Sequence, residues 1–212
     1  MNICYTAIIG NYDTLKEPQV ITPGWRYICF TDQDFKSNVW EICGVSENAS
    51  VNPQASARFL KLNPHIVLGD HTRSMWADGS FIINCNLNHW FDNNCKPPMT
   101  CIRHPIRRCV YQEADAVKRN RRTGTEGVVS QMTRYKEEGL PEYNGLIQSG
   151  LLMRWNTKEV NDFCEFWWKE TMAGSMRDQI SFAYCHWKMP VANFINYDYR
   201  KIGQFIYKKH NA

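Results

Sequence analysis

The chain contains no C-x-x-C pair and no Cys/His spacing of the kind that holds zinc, although nine cysteines are spread through it at positions 4, 29, 43, 85, 95, 101, 109, 164 and 185. An odd number of thiols set in apolar runs argues against a disulfide framework and for reduced, buried side chains. The amino terminus lacks a basic region followed by a long apolar one, and no apolar run is long enough to cross a bilayer, so no membrane segment is expected. The excess of cations over anions is also small, 25 Lys and Arg against 21 Asp and Glu. A formal net charge of +4 argues against a dedicated nucleic-acid binder and suits a pocket for a small anion. With 43% hydrophobic and 13% aromatic residues against 22% charged, disorder is not expected, and 212 residues suffice for one substantial domain.

The most informative stretch is Ser74-Met75-Trp76-Ala77-Asp78-Gly79-Ser80-Phe81-Ile82-Ile83, where one acidic residue separates two apolar runs. It reads as a buried strand, a tight turn and a second short strand. Such a turn leaves the Asp78 carboxylate at the carboxyl edge of a sheet, where open α/β sheets take ligands and where a hard divalent cation can be shared with phosphates. Asp-Gly is also an ordinary turn pair, so the stretch alone leaves both readings open.

Along the chain, Asn2 to Gly10 reads as a central strand running into a polar turn, which makes Tyr5, Thr6 and Asp13 candidate nucleotide contacts, with turn capping the alternative for Asp13. Strand patterns follow at 25–30 and 39–45, and a helix runs from Pro53 to before Pro64. On that helix Arg58 and Lys61 lie three apart, able to neutralise a diphosphate or to form a solvated face. Residues 66–68 and 74–76 flank the Asp78 turn, a short strand is expected at 100–103, an irregular loop between Asn84 and Thr100, and helices at 107–118, 128–138 and 161–171. The basic run Lys118 to Gly124 reads as a solvated helix end. The apolar strand from Gly145 to Arg154 is interrupted by Gln148, Ser149 and Gly150; buried polar groups there need partners, and the glycine permits close approach. Ser175 is expected to cap the next helix with Asp178 at its third position, as in a capping box, unless Asp178 serves a pocket rim instead. The tail carries Lys208, Lys209 and His210, which could close over a diphosphate and its metal or simply fray.

The motifs Tyr-Thr-Ala-Ile-Ile-Gly-Asn-Tyr-Asp, Cys-Phe-Thr-Asp, Ala-Arg-x-x-Lys-x-x-Pro-His, Trp-x-Asp-Gly, His-Pro-x-Arg-x-Cys-x-Tyr-x-Glu-Ala and Arg-Asp-Gln-x-Ser-Phe occur in this order from Tyr5 to Phe182. The series resembles the glycosyltransferase-like family of plants and microbes, also called a domain of unknown function, and within it the amino-terminal domains of chlorella-virus glycosyltransferases that build capsid glycans. The resemblance implies a single α/β domain of GT-A type over 1–212, a mixed, mostly parallel sheet flanked by helices, with a nucleotide half to about residue 100 and an acceptor half beyond. It implies transfer of a sugar from a UDP-sugar of the UDP-glucose or UDP-rhamnose type to a glycan acceptor, with Mn²⁺ or Mg²⁺, in the cytoplasm (the host's, for a viral protein).

By that resemblance Asp78 takes the place of the metal-binding D-x-D aspartate, while Trp76 and Ser80 stand where a second aspartate would be. Asp78, with His210, then holds the metal; Arg58, Lys61 and Lys208 face the donor phosphates or sugar; Tyr5, Thr6 and Asp13 face the uridine. An inverting enzyme needs a base at the acceptor hydroxyl, for which Asp178 is the candidate, and a retaining one a group beneath the anomeric carbon, for which Gln148 is. Retention is slightly favoured. The rival classes are a ceramidase-like hydrolase, for which no Ser-His or zinc constellation is present, and a noncatalytic glycan-binding module.

Overall fold

The computed structural model describes residues 1–45, 52–120 and 127–209. Among them are strands β1 (Asn2–Ile8), β2 (Trp25–Thr31), β3 (Glu41–Gly44), β4 (Arg73–Ala77), β5 (Phe81–Ile83), β6 (Met99–Arg103), β7 (Ile147–Trp155), β8 (Ala192–Ile195) and β9 (Phe205–Tyr207). The helices are α1 (Pro53–Leu62), α2 (Pro64–Val67), α3 (Leu87–Asn94), α4 (Val110–Arg119), α5 (Val128–Glu137), α6 (Lys158–Ala173) and α7 (Asp178–Lys188). Seven strands form one sheet in the order β3-β2-β1-β4-β7-β6-β8, and β5 pairs with β9 in a separate ribbon. All neighbours in the large sheet are parallel except those of β7, which runs against β4 and β6. This is the single α/β domain with a mixed, mostly parallel sheet expected from the sequence.

Burial on both faces explains why the central strands read as continuous apolar runs rather than alternating ones. Successive residues nevertheless point to opposite sides. Tyr5, Trp76 and Leu152 belong to the core that includes Phe163, Trp167 and Phe182 of α6 and α7, whereas Cys4, Met75 and Leu151 belong to the core around Trp90 and Phe91 of α3. Continuing the period of two past the end of β4 puts Asp78 on the side of Trp76, toward α1 and α7.

Pro64 opens the short helix α2 ahead of β4. Two sequence expectations need correction. The supposed loop at 84–100 contains α3, capped by the Asn86 side chain accepting from His89 N at 3.0 Å. Ser175 does not cap α7: its N and Oγ both bond the buried Gln131 Oε1, at 3.1 and 2.8 Å, and Asp178 is the first helical residue, after Arg177. A side chain already held by another element is not free to cap. Of the basic run at 118–124, residues 121–124 lie outside the described residues.

Strand β7 and helix α1 are locked through a buried arginine. Arg154, on β7, donates from Nη2 to Tyr5 Oη at 2.6 Å and from Nη1 to the Lys61 carbonyl at 3.0 Å, and Tyr5 Oη donates to that same carbonyl at 3.0 Å. Burial pushes the Tyr5 phenol well up, more than Arg154 beside it draws it down, so the hydroxyl keeps its proton. Tyr5→Phe should therefore cost about 1–3 kcal/mol by leaving the guanidinium short of an acceptor, measurable as a lowered midpoint in urea with an unchanged m-value.

Candidate active site

The carboxyl end of β4 meets the carboxyl end of α1, the amino end of α7 and an irregular point of β7. Between Cys101 and Ile102 of β6 the pairing jumps from Leu152 to Gln148, so Ser149, Gly150 and Leu151 bulge from the ladder. A bulge re-aims side chains and bends its strand. Here it brings the Gly150 carbonyl to the Asp78 N–H at 2.8 Å and sets Ser149 Oγ 3.2 Å from Lys61 Nζ. Any side chain at 150 would collide with its surroundings: a Cβ there would lie 2.5 Å from Gln148 Nε2, 2.9 Å from Phe81 Cε2 and 3.0 Å from Asp78 Oδ2. Gly79 is similarly confined, with Ile8 Cγ1 3.0 Å from where its Cβ would stand, so the Asp-Gly turn rests directly on the end of β1.

Lys61 is the hub. Its side chain is only 2% exposed, and Nζ lies 2.6 Å from Asp178 Oδ2, 3.2 Å from Ser149 Oγ and 3.5 Å from Asp78 Oδ1. Arg58, one turn earlier on α1, approaches Asp178 Oδ1 at 3.4 Å. The two residues thus form no purely solvated face. Burial alone would push the Asp178 carboxyl up, but Lys61 first and Arg58 next, helped by hydrogen bonds from Lys61 and Ser149, outweigh it and hold the group below the usual carboxylate range. Asp178 is therefore a fixed anion, not a base poised near neutrality.

Asp78 differs in kind. Its side chain is 38% exposed. Oδ1 accepts from Trp76 Nε1 at 2.6 Å and faces Lys61, whereas Oδ2 has no hydrogen bond or ion pair among the described residues. Beside it Gln148 Oε1 is buried without a hydrogen-bond partner, as is Thr6 Oγ1 under the turn. One free carboxylate oxygen at this partly exposed turn fits a hard divalent cation that takes the rest of its shell from a diphosphate and water. Among the described residues no three His, Cys, Asp or Glu side chains gather into a protein cage.

The other sequence candidates are more scattered. Tyr5 is fully buried beneath the site, tied to Arg154 and the Lys61 carbonyl, and supports the site from below instead of facing it. Asp13 is buried in its own turn, accepting from Thr14 N at 2.8 Å and Lys16 Nζ at 2.7 Å. Lys208 is exposed, but its N–H donates to the Ser80 carbonyl at 2.8 Å, which carries the tail to the edge of the Asp78 turn; His210 lies outside the described residues. The sequence marks Ser149 only as a polar residue in need of partners, and Lys61 and Asp178 are those partners.

A mixed sheet with charged side chains from α1, β4 and α7 gathered at the carboxyl end of β4 defines an α/β protein with a candidate ligand site at that edge. The more particular assignment comes from sequence: the chain belongs to the family of the TOD1/MUCI70 glycosyltransferase-like domain, whose model matches residues 2–205. Comparison with curated proteins gives no match. The family places the chain among glycosyltransferases, with a sugar donor and an acceptor as its partners. No helix of the described residues is long and apolar enough to cross a membrane.

Because the folded Asp178 binds its proton less readily than the unfolded chain does, its contribution to stability is complete at neutral pH and is lost as pH falls below about 4. Asp178→Asn should cost about 3–5 kcal/mol at pH 7, since it strips a buried ammonium of its nearest anion. That difference should shrink steadily on going to pH 3. Urea unfolding of both proteins across this range checks it, and a pH-independent difference would contradict the assignment.

Proposed function

We propose that the chain is a metal-assisted UDP-sugar transferase that glycosylates a glycan acceptor with retention of configuration. The single observation that carries this reading is the Asp78 turn: a half-exposed carboxylate with one oxygen tied back to Trp76 and Lys61 and the other left free, at the sheet edge where a diphosphate would lie. Mn²⁺ or Mg²⁺ held by Oδ2 would supply Lewis-acid stabilisation of the charge that grows on the departing diphosphate.

The chain's own groups do the rest. Lys61 is too deep to touch a donor, and it fixes the Asp78 carboxylate by attraction from behind. Arg58, about a fifth exposed and anchored on Asp178, is the guanidinium able to reach a phosphate oxygen. Gln148 packs over Gly150 beside Asp78 with its Nε2, and its Oε1 has no hydrogen-bond partner; that oxygen, turned toward a bound donor, would serve the electron-poor anomeric centre of a retaining course. The low basicity of Asp178 speaks against its use as the base of an inverting reaction. Thr6, at the end of β1, and the tail around Lys208, held to Ser80, border the same edge on the nucleotide side. A cytoplasmic setting rests on the nine cysteines, all of them free. A UDP donor, and an acceptor belonging to a viral or cell-surface glycan, rest on the sequence resemblance.

Saturating UDP with Mn²⁺ should raise the thermal midpoint by roughly 5 °C or more, since a ligand at 100 times its Kd adds about 2.7 kcal/mol and a domain of this size gains about 2–4 °C per kcal/mol. Asp78→Ala should abolish the rise while leaving the unliganded midpoint within a few degrees. No shift in the wild-type chain under saturating UDP and Mn²⁺ would remove the basis of this proposal.

A further inference from the structure

Away from the Asp78 turn, the same sheet edge opens into a cavity of about 700 Å³ whose wall includes Arg103, His104, Arg107, Arg108, Tyr143 and Asn196. Three guanidiniums meet there, and their charges are unequally compensated. Arg107 is committed, its Nε donating to the buried Glu113 and its Nη2 lying 3.2 Å from His104 Nε2. His104 is fixed as well, with Nδ1 accepting from the N–H groups of Arg107 at 2.9 Å and Ile106 at 3.2 Å. Arg103 and Arg108 are exposed, and neither has an ion pair among the described residues; Arg103 Cζ lies over the Phe194 ring, 4.7 Å from its centroid. The acidic residue of the wall, Asp198, is gripped in a bidentate pair by Arg200 at 2.7 and 2.8 Å. The cavity therefore presents two forked donors without an ion pair beside an exposed tyrosine and an amide.

Its position ties it to the transferase site. Arg103 ends β6, and Asn196 follows β8, both at the carboxyl edge used by β4. The segment Gly145-Leu146 that lines the cavity continues directly into Gln148, Ser149 and Gly150, and the Leu146 carbonyl accepts from His104 N at 2.8 Å. Gly145 allows this path, since a Cβ there would stand 3.2 Å from the Phe194 ring at a backbone angle of φ +87°. With strands about 4.8 Å apart, β6 lies roughly 10 Å from β4, the span of a short oligosaccharide.

We propose that this cavity is the subsite for a carboxylate-bearing sugar of the acceptor glycan, recognised by Arg103 and Arg108 a short way along the chain from the hydroxyl that is glycosylated. The proposal rests on the transferase reading for the word acceptor, but binding can be measured without turnover. Forked guanidiniums match a carboxylate in pairs of parallel hydrogen bonds, and Tyr143 and Asn196 are suited to the sugar hydroxyls. A donor diphosphate is the other anion that such a wall could take, and the experiment separates the two.

The test is equilibrium binding of a hexuronic acid trisaccharide, of the same trisaccharide with its carboxyls methyl-esterified, and of UDP with Mn²⁺, to the wild-type chain and to R103Q, R108Q and K158Q. The free acid should bind at least tenfold more tightly than the ester. R103Q and R108Q should each weaken the acid by about three- to tenfold without changing UDP binding, and K158Q, which removes an equal charge from a distant surface, should change neither. Both cavity residues are exposed, so the variants should keep the wild-type thermal midpoint. Equal binding of acid and ester, or an equal loss in K158Q, would overturn the proposal. So would a loss of UDP binding in R103Q or R108Q, which would give the cavity to the donor. Arginine-dependent binding of the acid in a chain that proves unable to bind UDP would sustain the subsite and remove the transferase reading instead.

Discussion

An ammonium group withdrawn from water must be matched by anions, and Lys61 is matched from two directions by residues a hundred positions apart in sequence. Asp78 comes from the end of β4 and Asp178 from the start of α7; both are drawn to the last turn of α1. The desolvation cost of such a group is several kcal/mol, so none of the three elements can drift without exposing an unpaired charge to a low dielectric. The arrangement gains little net stability over an apolar one. What it provides is position: the Asp78 carboxylate is fixed from behind while its outer oxygen stays open.

The same logic continues one layer deeper. Arg154 and Tyr5 converge on the Lys61 carbonyl, so the residue is held by its main chain as well as by its side chain. Among the described residues Arg154 has no carboxylate partner, only a phenol, a carbonyl and the Cys164 sulfur at 3.7 Å. Its charge is spread over neutral dipoles that α1, β1 and α6 contribute. The floor of the site is thus a polar network inside an otherwise apolar core, and each member is a hydrogen-bonding partner of another.

Much of the sheet was legible because buried parallel strands leave unbroken apolar runs, and Asp78 stood out because it interrupts one. Helix α3 is not legible: Asn, Trp and Asp in its eight residues give no clear apolar period, although Asn86 three residues before His89 is a capping signal. The start of α7 was misplaced for a different reason. Ser175 has the chemistry of a cap, and only the tertiary contact with Gln131, 44 positions away, shows that its hydroxyl is already taken. Arg58 and Lys61 illustrate the same limit. Their spacing puts them on one helix face, but nothing local says that Lys61 packs under a β-bulge while Arg58 remains at the rim. The partnership of Lys61 with Ser149 spans 88 positions and depends on the bulge itself, which single-sequence periodicity cannot register.

Charge is distributed along the sheet edge in a way that separates two tasks. Around Asp78 the two carboxylates of Asp78 and Asp178 balance the cations of Arg58 and Lys61, so the turn is close to neutral before any ligand arrives. A diphosphate alone would find little net attraction there, whereas a diphosphate accompanied by a divalent cation finds an open carboxylate oxygen and a rim guanidinium together. Two strands further on, the wall around Arg103 and Arg108 carries cations without matching anions and needs no metal to attract a carboxylate. Ligands of the two regions are therefore discriminated by how their charge is presented, and the segment from Gly145 to Gly150 joins both, so its glycine-dependent path sets the distance between them.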